Sequence, residues 1–343
     1  MKIKIFFLFV MIAVVTQAQI TITGFVLDEG NKEVLEGVSV FYDGTTIGTI
    51  TNSEGYFTIT TPKKLTAPLV ISYIGFENQI YNNLETSSLG EVFLKESAVQ
   101  LNEVVLKPDT WSREKKLGIF RRQFLGTTPP AVECKILNED DVRLYYDKEK
   151  NILYGYANKP LQIRNKFLGY IVQYHLVDFE VRYHNSLSGF NMVESVFYAG
   201  TALFTEINEK VKRKYIKNRD MAYYGSVLHF MRALSKRRLY EEKFRIFKER
   251  QEVEPYLYLR VDNSTTDGNV KVEQIEERLN ILYDKWGNSN ITVIDSAFHI
   301  DAYGNHAPAN NVLFGGDMGL LRIATVLPLD YQPKKESKRS NNN

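Results

Sequence analysis

The chain has 343 residues, of which 44% are hydrophobic and 24% are charged. These proportions are typical of a folded globular chain and exclude a largely disordered one. The formal net charge of +2 is too small to indicate a polyanionic partner for the protein as a whole. Aromatic residues make up 13% of the chain, which favours β-structure.

Residues 1–18 have the pattern of a cleavable secretory signal peptide. Lys2 and Lys4 precede an apolar run at residues 5–15, and small residues then lead to a predicted cleavage site after Ala18. The run is too short to cross a bilayer as a helix, so we expect no transmembrane span in the mature chain. Cys134 is the only cysteine, which excludes an intrachain disulfide and a cysteine-based zinc site. We therefore expect secretion across a bacterial inner membrane, with the protein in the periplasm or associated with the outer membrane.

Residues 19–96 alternate short β-runs with turn residues. The spacing predicts strands over residues 20–27, 37–42, 48–51, 56–60, 69–74 and 90–94. Residues 52–55 predict a hairpin turn, because Gly55 adopts a positive φ at little cost. Short strands separated by turns at this spacing predict a compact β-sandwich.

The same region resembles the carboxypeptidase-regulatory-like domain. The resemblance rests on Gly24-Phe-Val-Leu-Asp, Leu35-Glu-Gly-Val-Ser-Val, residues 44–57 and Ile71-Ser-Tyr-Ile-Gly-Phe. It implies a transthyretin-like sandwich, a module frequent at the N-termini of outer-membrane receptors and other envelope proteins of Gram-negative bacteria. That family more often has Asp where this chain has Asn52, and either residue can cap the turn.

The sequence excludes two functions associated with such a module. None of the five histidines is followed three residues later by Glu, so the zinc motif of a metallocarboxypeptidase is absent. Residues 101–106 resemble the segment that links the module to a transporter plug. Too few residues follow, however, to form a plug and a barrel of about 22 strands. We therefore expect neither a zinc carboxypeptidase nor a transporter.

The remaining chain predicts a linker at 97–112, one larger β-rich α+β domain at 113–331 and a disordered tail at 332–343. The predicted fold class is thus mostly β with some α. Helices are predicted over residues 113–125, from about residue 208 and over residues 219–240. A long strand at 168–183 alternates between two faces, with Tyr170, Val172 and Tyr174 on one and Ile171, Gln173 and His175 on the other. Residues 315–319 predict a loop, and residues 320–326 predict a strand. Stretches of this domain resemble envelope proteins that carry the same N-terminal module, which implies no activity.

A candidate metal site comprises Asp295, His299, Asp301 and His306. On a strand, His299 and Asp301 would share one face with Asp295, and such side chains are ligands of a mononuclear metal. The alternative, which we favour, is an ordinary strand followed by a turn. We therefore predict no catalytic residue, no metal and no cofactor.

A candidate binding site comprises Arg219, Ser226 and His229, which fall on one side of the predicted helix. A nucleophilic serine needs a base and an oxyanion hole at a sharp turn, not a helix interior. We therefore interpret these residues as a polar patch that packs against the sheet.

Residues 209–250 hold fourteen Lys and Arg against five Asp and Glu. Such a surface suits peripheral contact with anionic lipid, lipopolysaccharide or an acidic partner. The alternative is a solvated helix face whose charge is offset by acidic residues such as Glu273, Glu276 and Glu277. Nucleic acid is excluded by the expected compartment.

The leading hypothesis is a non-enzymatic exported envelope protein with a binding or assembly role, whose partner is an envelope protein or cell-surface component. The alternative is a hydrolase that acts on envelope or extracellular glycans or peptides. A third hypothesis, carbohydrate binding by the sandwich, requires exposed aromatic side chains on one face. We interpret Tyr42, Tyr56 and Tyr73 instead as core or edge residues.

Overall fold

The computed structural model describes residues 19–62, 65, 67–82, 84, 86–97, 110–185, 191–264, 269–308 and 311–334. The predicted signal peptide with its cleavage site at Ala18, residues 98–109 of the predicted linker and residues 335–343 of the predicted tail lie outside this part of the chain. Strands predominate within it, as the composition predicts. None of its helices is long and apolar enough to cross a lipid bilayer.

The N-terminal region is a sandwich of two sheets. Its strands are β1 (Ile20–Asp28), β2 (Ser39–Tyr42), β3 (Gly48–Ile50), β4 (Tyr56–Thr61), β5 (Leu69–Ser72), β6 (Gln79–Tyr81) and β7 (Ser88–Leu94). One sheet has the order β4-β1-β7 and the other has the order β3-β2-β5-β6. In β1 every second residue from Ile22 onward is buried, because alternate side chains of a strand face opposite sides of the sheet. The predicted sandwich is confirmed.

The turn at residues 52–55 has the predicted chemistry but not the predicted partners. The Asn52 side-chain oxygen accepts from the N–H groups of Glu54 (3.0 Å) and Tyr56 (2.9 Å), and Gly55 has φ of 70°. However, β3 pairs with β2, and β4 pairs with β1 in the other sheet. The predicted hairpin is therefore wrong. Local turn chemistry fixes the reversal of the chain but not the sheet that each strand joins.

A six-stranded sheet forms the centre of the protein. Its elements are α1 (Arg113–Phe124), α2 (Pro129–Val132), β8 (Cys134–Ile136), a 3₁₀ turn (Glu139–Asp141), β9 (Val142–Asp147), β10 (Ile152–Ala157), β11 (Leu161–Asn165), β12 (Tyr170–Asn185) and β13 (Asn191–Glu206). β13 pairs along the length of β12. β11 pairs with the first half of β12, and β10 pairs with the second half of β12. The predicted helix α1 is confirmed and packs Phe120 and Phe124 into this core.

The C-terminal part adds two further sheets around a second core. Its elements are α3 (Arg213–Tyr223), α4 (Val227–Ser235), β14 (Phe244–Lys248), β15 (Gln251–Val253), α5 (Pro255–Tyr258), β16 (Leu259–Asp262), β17 (Val270–Gln274), β18 (Leu279–Tyr283), β19 (Gly287–Val293), β20 (Ala297–Ile300), β21 (His306–Ala307), β22 (Val312–Gly315) and α6 (Gly316–Gly319). The sheet orders are β15-β14-β18-β19-β22 and β16-β17-β20-β21. The predicted region 113–331 thus contains two separate hydrophobic cores among its described residues.

Three local predictions in this region are wrong. The helix predicted over 219–240 is broken at Gly225, where φ is 83° and the Tyr283 ring would lie 2.7 Å from an added Cβ. Residues 315–319 form the end of a strand and one helical turn, not a loop. Residues 320–326 form no strand, because the N–H groups of Ile323 and Ala324 instead donate to the carbonyls of Phe124 and Leu125 at the end of α1.

Trp111 belongs to the central core and not to a linker. Its ring stacks on Tyr146 with centroids 3.7 Å apart, and Tyr183 approaches its edge. The Lys115 ammonium lies over the indole, 3.7 Å from the ring centroid. The predicted linker therefore extends too far, since Trp111 packs with the sheet that follows it.

The sandwich is hydrogen-bonded directly to the central sheet. Gly44 donates its N–H to the carbonyl of Ala202 (2.7 Å), and Phe204 donates to the carbonyl of Thr45 (3.0 Å). Leu329 donates its N–H to the carbonyl of Gly44 (2.7 Å), so the C-terminal segment is fixed to the same loop. These backbone bonds make the N-terminal sandwich part of one packed structure.

Candidate functional site

The four residues of the candidate metal site do not converge. Asp295 and His299 are exposed, whereas Asp301 is only 6% exposed. The Asp301 carboxylate accepts from the N–H groups of Tyr303 (2.8 Å) and Asn305 (2.9 Å). The predicted common face of His299 and Asp301 is wrong, because β20 ends at Ile300 and the alternation stops there. Within the described residues, no three His, Cys, Asp or Glu side chains are grouped to hold a metal ion.

Arg219 fixes α3 to the start of β12. Its guanidinium donates to both carboxylate oxygens of Glu206, at 2.8 and 2.7 Å, and its Nε donates to the carbonyl of Leu168 at 2.7 Å. The guanidinium carbon also lies 3.8 Å from the centre of the Tyr170 ring. The Arg219 guanidinium is thus paired with Glu206 and with backbone carbonyls. Its hydrogen bonds in the described part of the chain do not include Ser226 or His229.

Ser226 is the N-cap residue of α4. The prediction that Ser226 lies within a helix is therefore wrong. Its side-chain oxygen accepts from the N–H of His229 at 3.2 Å, which is a typical helix N-cap bond. The His229 imidazole accepts at Nδ1 from the N–H of Gly225 (3.1 Å), and its Nε2 lies 3.2 Å from a Glu242 oxygen. Burial lowers the pKa of His229, against the opposing effect of Glu242. The imidazole therefore has structural partners and is not aimed at Ser226.

Ser226 and His306, from the two separate candidate groups, line one mostly apolar cavity of about 390 Å³. We call it the α4 cavity. Apolar walls come from α4, from β22 with α6, and from the segment 321–329, and they include Val227, Leu228, Phe314, Met318, Leu327 and Leu329. A second cavity of about 440 Å³ adjoins it and shares Ala222, Ser226, Leu321 and Thr325. This size and lining are typical of small-molecule sites.

Arg232 of α4 holds two walls of the α4 cavity in place. It is 6% exposed, and its guanidinium donates to the carbonyls of Tyr303 (2.7 Å), Leu329 (2.8 Å) and Tyr331 (2.8 Å). The same Leu329 is bonded to Gly44 of the sandwich. The sequence around Arg232 carries no signal of this role, because nothing in its helical surroundings indicates that three distant carbonyls accept from it.

Few polar groups face the α4 cavity, and they lie among apolar side chains. Burial lowers the pKa of His306 to about 4, against the opposing effect of Asp301. Arg322 donates to the carbonyls of Gln123 (2.9 Å) and Gly319 (2.6 Å). A neutral imidazole with nearby amide and hydroxyl groups can hydrogen-bond one polar end of a molecule whose remainder is apolar.

A separate cleft, which we call the basic cleft, includes part of the basic segment at residues 209–250. Glu133 and four exposed cations, Arg164, Lys166, Lys212 and Lys214, line a concave surface of about 630 Å³. Lys214 pairs with Glu133 at 2.9 Å. Lys212 is the N-cap residue of α3, which has no side-chain cap bond and no acidic residue in its first turn. The positive end of the helix dipole therefore adds to the cationic side chains.

Comparison with known proteins identifies the N-terminal sandwich. Residues 22–106 match the family model of the CarboxypepD_reg-like domain. This region is a carboxypeptidase-regulatory-like domain. The match confirms the resemblance that the motifs at Gly24, Leu35, Gly44 and Ile71 predicted.

Other comparisons extend over little of the chain. Two solved structures with similar segments are a C-terminal and an N-terminal interface mutant of a type II cohesin–X-dockerin complex from Acetivibrio cellulolyticus. Their identities are 24% and 22%, and their TM-scores are 0.19 and 0.18. Each alignment covers 21% of this chain, and the chain spans about half (51%) of each matched chain. No curated protein matches the sequence.

Proposed function

We propose that this protein is a non-enzymatic binding protein of the bacterial envelope that holds a small apolar molecule with one polar end in the α4 cavity. One observation carries the proposal. Residues of α4, of β22 with α6 and of the following segment 321–329 line the cavity, and Arg232 and Gly44 fix that last segment through Leu329. A cavity whose wall depends on the docked sandwich gives that accessory domain a role in binding.

The envelope location rests on the sequence. The basic residues and apolar run before Ala18 have the order of a signal peptide, and a carboxypeptidase-regulatory-like domain follows them directly. The single buried Cys134, whose pKa burial raises to about 12, is suited to packing and not to redox chemistry. We propose secretion across the inner membrane and residence in the periplasm or at the outer membrane, with an envelope component as partner.

Two features favour binding over the alternative of hydrolysis. A general base works best when its pKa lies near the working pH, and that of His306 is lowered to about 4. The Ser226 oxygen already accepts the N-cap hydrogen bond of α4. We therefore expect no hydrolysis of p-nitrophenyl butyrate above the rate of the Ser226→Ala variant. Turnover by the native protein that Ser226→Ala abolishes would support a hydrolase instead.

The cavity is tested with the fluorescent apolar probe N-phenyl-1-naphthylamine. We expect saturable binding by the native protein and at least about tenfold weaker binding by Val326→Trp, whose indole would fill the α4 cavity. Val177→Trp is the matched control, since Val177 is 68% exposed and lies outside the cavity. Equal binding by the native protein and Val326→Trp would contradict the proposal.

The basic cleft favours a second contact, with the anionic surface of the envelope. Four cations beside one carboxylate repel one another, and the uncapped start of α3 lacks an acceptor, so phosphate groups would stabilise both. We expect the protein to sediment with phosphatidylglycerol vesicles at low salt but not with phosphatidylcholine vesicles. Lys166→Glu/Lys212→Glu should abolish sedimentation, whereas Lys148→Glu/Lys285→Glu, with the same charge change outside the cleft, should not. Equal loss in both variants would show that net charge alone drives the contact.

A further inference from the structure

A cleft of about 420 Å³ lies between the sandwich and the central sheet. We call it the interdomain cleft. Ser39, Ser72 and the turn at residues 73–76 form its sandwich side, and Asn158, Gln173 and His175 form its central side. The turn is fixed by bonds from Ser97 N–H to the Gly75 carbonyl (2.8 Å) and from Glu77 N–H to the Lys95 carbonyl (2.9 Å). The cleft exists only because the two regions are docked.

The lining of the interdomain cleft is polar but almost uncharged. Three hydroxyls and three amides face it, from Ser39, Ser72, Ser97, Asn78, Asn158 and Gln173. Glu77 is the one carboxylate among the described lining residues, and Lys95 lies 3.9 Å from it. Amides and hydroxyls both donate and accept hydrogen bonds, which suits a ligand whose own groups do the same. An anionic ligand would find no Lys or Arg side chain among these lining residues.

His175 adds a buried ring nitrogen without a hydrogen-bond partner among the described residues. It is 9% exposed, and burial lowers its pKa to about 4, so the imidazole is neutral at neutral pH. Its Nδ1 lies 3.4 Å from the Asn78 side-chain nitrogen and 3.5 Å from the Ser72 hydroxyl. The other ring nitrogen, Nε2, has no hydrogen-bond partner within the described part of the chain.

A second polar group without a partner among the described residues, the Thr201 hydroxyl, belongs to the residue beside His175. Thr201 is paired with His175 in the β12–β13 ladder, and its hydroxyl also lacks a partner among the described residues. Buried donors and acceptors without partners destabilise the folded protein, so a site that leaves two of them side by side suits an incoming polar group. The pair lies where β12 and β13 meet the sandwich, with Phe41 stacked on the His175 ring at 5.9 Å.

The sandwich side of the cleft also presents aromatic rings. Tyr73 and Phe76 both line it, both are partly exposed, and their ring centroids are 5.5 Å apart. Aromatic faces pack on the C–H groups of a sugar ring while polar neighbours bind its hydroxyls. We propose that the interdomain cleft binds a neutral oligosaccharide, with the amides and His175 bonding its hydroxyls and these rings packing on its apolar face. This site is separate from the α4 cavity and does not depend on the function proposed for it.

The proposal is tested by titrating the full-length mature protein calorimetrically with cellotriose, xylotriose, maltotriose and N,N′,N″-triacetylchitotriose. We expect saturable binding of at least one of them. Asn158→Trp, which places an indole in the cleft, and Gln173→Ala should each weaken binding by about tenfold or more. Asn263→Trp is the matched control, because Asn263 is exposed and lies outside the cleft.

Three results would overturn the proposal. The first is no saturable binding of any of the four trisaccharides at about 10 mM. The second is binding that Asn158→Trp leaves unchanged, while the third is tighter binding of trigalacturonate than of every neutral trisaccharide. Binding of N-phenyl-1-naphthylamine and the thermal unfolding of Asn158→Trp report whether that variant is folded, and Gln173→Ala keeps the test decisive if it is not.

Discussion

Asp43 of the sandwich accepts a hydrogen bond from the backbone N–H of Ala202 in β13 at 2.7 Å. The carboxyl is mostly buried, and this desolvation raises its pKa to about 6, although the N–H groups of Ala202 and Gly44 favour the charged form. The contact between the two regions thus contains an acid that titrates near neutral pH. Burial in the interface therefore shifts the equilibrium of this carboxyl toward its protonated state, compared with the same group in water.

We predict that Asp43→Asn stabilises the protein at alkaline pH. Because the folded pKa of Asp43 lies above the unfolded value of 3.8, this group's stabilisation is complete below about 3.8 and is lost as pH rises through about 6. The amide of the variant would keep an oxygen acceptor for the Ala202 N–H without burying a charge. The gain in free energy of unfolding should be about 1–3 kcal/mol at pH 8 and near zero at pH 4, measured by urea denaturation. Asp140→Asn, at an exposed site, is the control, and an equal gain there would contradict the assignment.

His175 has the opposite pH dependence. Its folded pKa of about 4 lies below the unfolded value of 6.5, so its stabilisation is complete above 6.5 and is lost as pH falls towards 4. The phenyl side chain of His175→Phe cannot become charged. Between pH 7 and pH 4.5 the free energy of unfolding of this variant should therefore fall by about 1–3 kcal/mol less than that of the native protein. His184→Phe changes an exposed histidine of the same strand and should follow the native curve. Parallel curves for the native protein and His175→Phe would refute the prediction.

We predict that Arg232→Met lowers the free energy of unfolding by about 2–4 kcal/mol. The substitution leaves the carbonyls of Tyr303, Leu329 and Tyr331 without their shared donor inside the protein. It should also reduce binding of N-phenyl-1-naphthylamine, because Leu329 forms part of the cavity wall. Arg238→Met removes an exposed i,i+4 ion pair with Glu242 and should cost less than about 1 kcal/mol. Similar losses in both variants would contradict the stabilising role of the three Arg232 hydrogen bonds.

Two glycine substitutions should change stability in opposite directions. Gly225→Ala places a Cβ 2.7 Å from the Tyr283 ring at a φ of 83°, and should destabilise the protein by about 1–3 kcal/mol. Gly118→Ala lies within α1, where the added Cβ meets only the Arg122 side chain at 3.9 Å, and should stabilise by about 0.5–1 kcal/mol. Thermal unfolding of both variants checks these two predictions. A stabilising Gly225→Ala would show that glycine at the break between α3 and α4 is not required for stability.

The sequence by itself determined the elements whose signals are local. Alternation from Ile22 to Asp28, the Asn52 and Gly55 turn, and the burial of Tyr170, Val172 and Tyr174 all follow from neighbours within a few residues. The family motifs of the sandwich are likewise contiguous, and the family match over residues 22–106 confirms them. The same patterns placed His175 on the opposite face of the strand, but they did not indicate what packs against it.

Only the tertiary structure decided which of these elements meet. Whether residues 52–55 join strands of one sheet or two depends on pairing over long distances, and the buried His175 ring stacks on Phe41 of the sandwich. Residues 320–326 read as a strand by their apolar content, yet their N–H groups satisfy the last carbonyls of α1. The α4 cavity, the Arg232 contacts and the interdomain cleft combine residues more than fifty positions apart. Such convergence depends on packing, which leaves no periodic signal in the chain.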